Sequence, residues 1–259
     1  MTIAVHDHGS IHHVVIQRSA LRNAVDRATA ACLFQSFCEF ESSQTARVAV
    51  LSGEGHHFCA GADLKAAASG EPNRLKVDGS GPMGPTRLSL TKPVIAAIEG
   101  FAVAGGLELA LWADLRVAAA DAKLGVLCRR VGVPLIDGGT VRLPRLIGES
   151  RALDLVLTGR LVSAMEARDM GLVNRVVPPG QAVTHAMEMA EDLANFPQAC
   201  LRADRASVLA QAGLPLEEAL DQEFQGAEEA LRTEALRGAQ RFANGEGRHG
   251  RSLGPETDK

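Results

Sequence analysis

Glu108 is the only ionisable side chain between Phe101 and Ala113 (FAVAGGLELALWA), and it follows Gly105 by three residues. If that stretch is a helix opening at Gly105, the carboxyl lies nearly above the same face, one turn on. A carboxyl in apolar surroundings has a raised pKa and can exchange protons near neutrality. The same spacing equally fits a first-turn glutamate that complements the helix dipole, worth under about 1 kcal/mol. Two segments share one pattern: Ser52–Lys65 (SGEGHHFCAGADLK) and Glu99–Asp114 (EGFAVAGGLELALWAD) each read as strand end, small-residue turn and helix start. The helices are expected to begin at about Ala62 and near Gly105. Helix N-termini leave N–H groups unpaired, and small residues admit a ligand close to that backbone. Two such termini facing one another would make a two-donor oxyanion hole. His56-His57 reads as ordinary loop histidines.

These segments need a scaffold, and the chain supplies an α/β pattern. Ile11–Arg18, Arg47–Ser52, Pro93–Ile98 and Leu115–Ala119 read as strands, and Asn23–Glu41 carries apolar residues at helical spacing. Apolar strands separated by helices predict crossovers and a largely parallel sheet covered on both faces. Residues 1–180 are read as this core and 181–245 as a helical region, broken at Pro197 and near Gly213-Leu214-Pro215. That region would either cap the core or pack against a neighbouring subunit. The Gly- and Pro-rich Ser69–Thr86 reads as a mobile surface loop, either a lid with a role in specificity or a plain linker. Residues 246–259 are expected to fray.

Composition removes several function classes. The 259 residues are 46% hydrophobic and 22% charged, with 27 basic and 31 acidic side chains. One Trp, no Tyr and a net charge of −4 speak against nucleic-acid binding. Five scattered cysteines without C-x-x-C spacing fit reduced thiols better than disulfides or zinc. No apolar run approaches a membrane span, and MTIAVHDHGS is not a secretory signal, so a cytoplasmic location is expected. Signatures of phosphate-binding loops, dinucleotide folds, zinc proteases and nucleophile elbows are missing from the sequence.

Phe58–Leu64 (FCAGADL), Thr91–Gly100 (TKPVIAAIEG), Ala104–Ala110 (AGGLELA), Gly132–Gly148 (GVPLIDGGTVRLPRLIG) and Arg151–Val177 follow one another in a recognisable order and spacing. Over about residues 10–245 the chain resembles the enoyl-CoA hydratase/isomerase (crotonase) family. The resemblance implies a crotonase-like spiral of ββα units with a C-terminal helical trimerisation region, assembled as a homotrimer or dimer of trimers. It implies an acyl-CoA thioester as substrate, with no cofactor beyond the coenzyme A that the substrate carries. The thioester oxygen would be received by the N–H groups of Ala62 and Gly105. Cys59, Ala60, Gly61, Asp63, Leu64 and Gly106 would hold the coenzyme A portion, and Glu108 matches the first of two catalytic glutamates.

The second glutamate is where the sequence departs from the family. Counted back from the Gly132…Gly138-Gly139-Thr140 landmark, its position is held by Cys128. A neutral thiol is no substitute for a carboxyl acid. Asp137, three residues before Thr140, is the nearest motif-supported carboxyl and a candidate catalytic group. It is also a fitting N-cap for the helix that follows. The expected function is enoyl-CoA hydration through a thioester enolate; enoyl or dienoyl isomerisation, another thioester reaction, and non-catalytic acyl-CoA binding remain as alternatives.

Overall fold

The computed structural model describes residues 2–247. In chain order its strands are β1 (Ile3–His8), β2 (Ile11–Ile16), β3 (Val48–Gly53), β4 (Val94–Ile98), β5 (Phe101–Val103), β6 (Leu115–Ala119), β7 (Lys123–Gly125), β8 (Leu161–Ser163) and β9 (Arg175–Val177). The helices are α1 (Arg27–Ser42), α2 (Leu64–Ala68), α3 (Gly105–Trp112), α4 (Gly139–Ile147), α5 (Glu149–Thr158), α6 (Ala164–Asp169), α7 (Ala182–Asn195), α8 (Gln198–Ala210), α9 (Leu216–Ala230) and α10 (Leu236–Ala243). The expected frayed tail falls almost wholly outside the described residues.

The main sheet runs β1-β2-β3-β4-β6-β9, parallel throughout except for the β1-β2 hairpin. Every residue of β4, and all but the last of β3, is buried, as a parallel sheet covered on both faces requires. Successive side chains point to opposite faces and so sort into two cores. Ala49, Leu51, Ala96 and Ile98 join Leu33, Phe37, Phe40 and Phe58 under α1. Val48, Val50, Ile95 and Ala97 face Ala182, Ala186, Ala190 and Ala194 of α7. Alanine at every fourth position gives α7 a flat stripe that lies directly on the sheet. The first helix of the C-terminal region is thus part of the core, while α8 buries no residue and α9 buries only Ala230.

Two elements begin later than their sequence pattern implies. The helix expected from Asn23 starts at Arg27, because Asp26 caps it by accepting from the Thr29 N–H (2.8 Å), and Val25 is drawn into a bridge with Ala62. The helix expected near Ala62 starts at Leu64 for the same reason, with Asp63 accepting from the Lys65 and Ala66 N–H groups. Arg18 ties these two starts together, its guanidinium lying 3.0 Å from both the Asp26 and the Asp63 carboxylates. A small second sheet, β5-β7-β8, was not legible in the sequence, since three-residue strands carry too little pattern.

Candidate active site

Strands β3 and β4 deliver the two Gly-containing turns side by side. After β3 the chain turns back, and Cys59 pairs with Ala102 of β5: the Cys59 N–H donates to the Phe101 carbonyl (2.9 Å), and its carbonyl accepts from Val103 (3.1 Å). The Ala60 N–H goes to the Arg22 carbonyl (3.0 Å), and the Gly61 carbonyl accepts from Val25 (2.8 Å). In that bridge the Ala62 N–H points the other way and has no acceptor among the described residues. On the facing turn, Ala104 adopts φ +53° and α3 opens at Gly105, whose N–H is likewise without an acceptor among the described residues. An L-residue at that φ costs on the order of 1–3 kcal/mol, strain of the kind that collects at functional sites.

The two turns touch. Gly61 has φ +98°, and a Cβ there would lie 3.0 Å from both Ala104 Cβ and the Gly105 nitrogen. Gly106 packs equally closely, since an added Cβ would meet the Cys59 carbonyl oxygen at 2.1 Å. Asp63 is held by Arg18 and its own helix cap, and Leu64 is exposed. Of the six residues expected to hold coenzyme A, five flank Ala62 in sequence on this turn, and Gly106 packs against it at the Cys59 carbonyl.

Glu108 is buried within α3, at 3% exposure. Its Oε1 accepts from the Asp137 N–H (2.9 Å) and the Gly139 N–H (2.8 Å). Oε2 has no protein donor among the described residues and keeps contact with solvent. Burial pushes this carboxyl up to about 7; the Gly139 N–H pulls it down and the Asp137 charge pushes it up again. A group titrating there can carry a proton in either direction at neutral pH.

Asp137 joins Glu108, but not as a helix cap. Gly138 takes the cap position of α4, while Asp137 Oδ1 accepts from the Met83 N–H (2.9 Å) and the Thr86 hydroxyl. Burial raises the Asp137 carboxyl, opposed by Thr86, Met83, Arg87 and Arg142. Cys128 is buried in the short turn Leu127–Val131, and burial first and the Glu108 charge second hold its thiol above its ordinary value, so it stays neutral. The thiol is no acid of carboxyl strength. His57 serves structure, its Nδ1 accepting from the Phe101 N–H (3.3 Å).

One expectation is overturned here. Only the first part of Ser69–Thr86 is a surface loop; Gly81 through Thr86 is buried and enters the site. Met83 and Thr86 were missed because their partner, Asp137, lies more than fifty residues away in the chain. Their only local signal is the pair of Gly-Pro steps, Gly81-Pro82 and Gly84-Pro85, which marks a pinned rather than a free segment. Among the described residues no His, Cys, Asp or Glu side chains group to hold a metal ion, and no helix is long and apolar enough to cross a membrane.

Comparison with known proteins identifies the family and the fold. A sequence profile described as enoyl-CoA hydratase/isomerase matches residues 6–248. An enoyl-CoA hydratase of Mycobacterium tuberculosis, EchA19, is 42% identical over 203 residues, covering 74% of this chain and 76% of its own. Carnitinyl-CoA dehydratase of Salmonella enteritidis is 37% identical over 212 residues, 81% of each chain. The crystal structure of enoyl-CoA hydratase EchA1 from Mycobacterium marinum superposes with a TM-score of 0.88 at 33% identity, over 94% of this chain and 96% of that one. With a crotonase fold, the two facing turns and a buried glutamate on α3, the chain belongs to the enoyl-CoA hydratase/isomerase family and is an enzyme of that type.

Proposed function

We propose that the protein is an enoyl-CoA hydratase, adding water across the 2,3 double bond of an enoyl-CoA thioester. The observation that carries this reading is the buried Glu108, with a carboxyl near 7 and one free oxygen, on the helix whose first amide joins that of Ala62 as an unpaired donor. The thioester oxygen sits between the Ala62 and Gly105 amides, and Cys59, Ala60, Gly61, Asp63, Leu64 and Gly106 form the wall along the coenzyme A. Ionised Glu108 takes a proton from water as the water oxygen bonds to C3. The electron pair of the double bond moves through C2 onto the thioester oxygen, where the two amides meet the developing charge. Glu108 then returns a proton to C2, so one carboxyl completes the addition.

Asp137 takes the secondary role, orienting the water through its free Oδ2. A second reading, migration of the double bond, needs only a single carboxyl shuttling a proton between carbons; Cys128 in place of a second glutamate favours it. The enzyme works in fatty-acid type metabolism in the cytoplasm, as a trimer or dimer of trimers, without a cofactor, nucleic acid or membrane partner. The test is turnover by purified protein of 2-enoyl-, 3-enoyl- and dienoyl-CoA thioesters. Hydration of 2-enoyl-CoA is expected. Conversion of only the 3-enoyl or dienoyl forms would replace hydration with isomerisation.

A further inference from the structure

The buried end of the Gly81–Thr86 segment is pinned from several sides. Gly81 and Gly84 exchange backbone hydrogen bonds (3.0 and 2.9 Å), and the Asn73 side-chain amide donates to the Pro82 carbonyl (2.8 Å) and the Val25 carbonyl (3.1 Å). Asp137 Oδ1 takes the Met83 N–H and the Thr86 hydroxyl. Arg142 then donates to the Asp137 carbonyl (2.9 Å) and the Thr86 carbonyl (2.7 Å), locking this segment to the start of α4. The Met83 side chain, 1% exposed, is left lying on the N-terminus of α3. A Cβ added to Gly105 would be 2.7 Å from Met83 Sδ and 3.0 Å from its Cγ. An acyl chain leaving a carbonyl held on the Gly105 amide therefore has this thioether as a neighbour.

Resting on the thioester reading above, we propose that Met83 is the wall that confines the acyl pocket to short acyl groups, and that Asp137 is the positioning residue that seats it. Asp137 acts here through Oδ1 and the backbone of Met83, leaving Oδ2 for the site. A thioether is adaptable in shape, so the wall depends on the backbone behind it being held. Shortening the side chain, or releasing its backbone, opens the same space.

The experiment measures binding of saturated butyryl-, octanoyl- and dodecanoyl-CoA to the full chain by calorimetry. Saturated thioesters report pocket size without any reaction. Wild type binds butyryl-CoA in preference to the longer two. Met83→Ala raises the octanoyl-to-butyryl affinity ratio about tenfold, in line with the discrimination that one or two methylenes provide. Met83→Leu, of similar volume, leaves the ratio near wild type. Asp137→Ala shifts the ratio in the same direction as Met83→Ala. Asp137→Asn keeps the wild-type ratio, because an amide oxygen still accepts from Met83 and Thr86; a role in proton transfer alone would leave the ratio unchanged in Asp137→Ala as well. If Met83→Ala does not fold, Met83→Val shows a smaller shift of the same sign. An unchanged ratio in the folded shortened variants, with butyryl-CoA still bound, overturns the wall and leaves the thioester reading standing. Failure of wild type to bind any of the three overturns both.

Discussion

Glu108 combines two features that rarely coexist: a desolvated carboxyl and a fixed direction. The Asp137 and Gly139 amides hold Oε1 from the far side, so Oε2 faces the site without freedom to turn away. Its raised pKa has two measurable consequences. Hydration that starts from ionised Glu108 rises with pH through about 7, and a profile of kcat/KM against pH checks this. Stability moves the other way. The folded value of about 7 lies above the ordinary 4.5, so the folded chain keeps a proton that the unfolded chain has lost between those values. The stabilising contribution is full below about pH 4.5 and is lost as pH rises through 7. Glu108→Gln should therefore be more stable to unfolding than wild type at pH 8, by as much as ~3 kcal/mol, with the gain fading toward pH 4. Cys128 offers the contrast: Cys128→Ala should keep most of the activity, because a buried neutral thiol moves no proton. Cys128→Glu should raise hydration by supplying the family's second carboxyl.

At the scale of elements, the site depends on how closely two turns approach. Gly105→Pro removes one donor, and its ring also meets Met83; turnover should be abolished while circular dichroism stays native. Gly61→Ala leaves both amides in place but pushes the turns apart against Ala104, so kcat should fall about 10–100-fold with little change in fold. A glycine turn before a helix is a common local arrangement, so these turns were legible as a pair and through the family motif, not singly. Glu108 was legible as the lone charge in an apolar run. The starts of α1 and α2 were displaced because Val25 and Ala62 pair across a distance that helical periodicity does not register. Asp137 stood out by motif, yet its task did not: a local reading offers a helix cap, and only the fold brings Met83 and Thr86 to its carboxylate.

For the whole molecule, the α/β core followed from strand and helix patterns, and the place of α7 from its alanine stripe only once the sheet was visible. Beyond α7 the helices expose large apolar side chains, among them Leu216, Phe224, Leu236 and Phe242. A monomer would present these side chains to water. Sedimentation at micromolar concentration should accordingly give a trimer or hexamer; a monomer would leave these faces unexplained and remove the proposed assembly. Independently of assembly, the proposed mechanism has Glu108 move a proton beside a thioester held on two backbone amides. The most direct test compares wild type with Glu108→Gln across 2-enoyl-, 3-enoyl- and dienoyl-CoA. A fall in kcat of at least about a hundredfold, with thioester affinity nearly unchanged, is the predicted result. Equal turnover by the two proteins would contradict it.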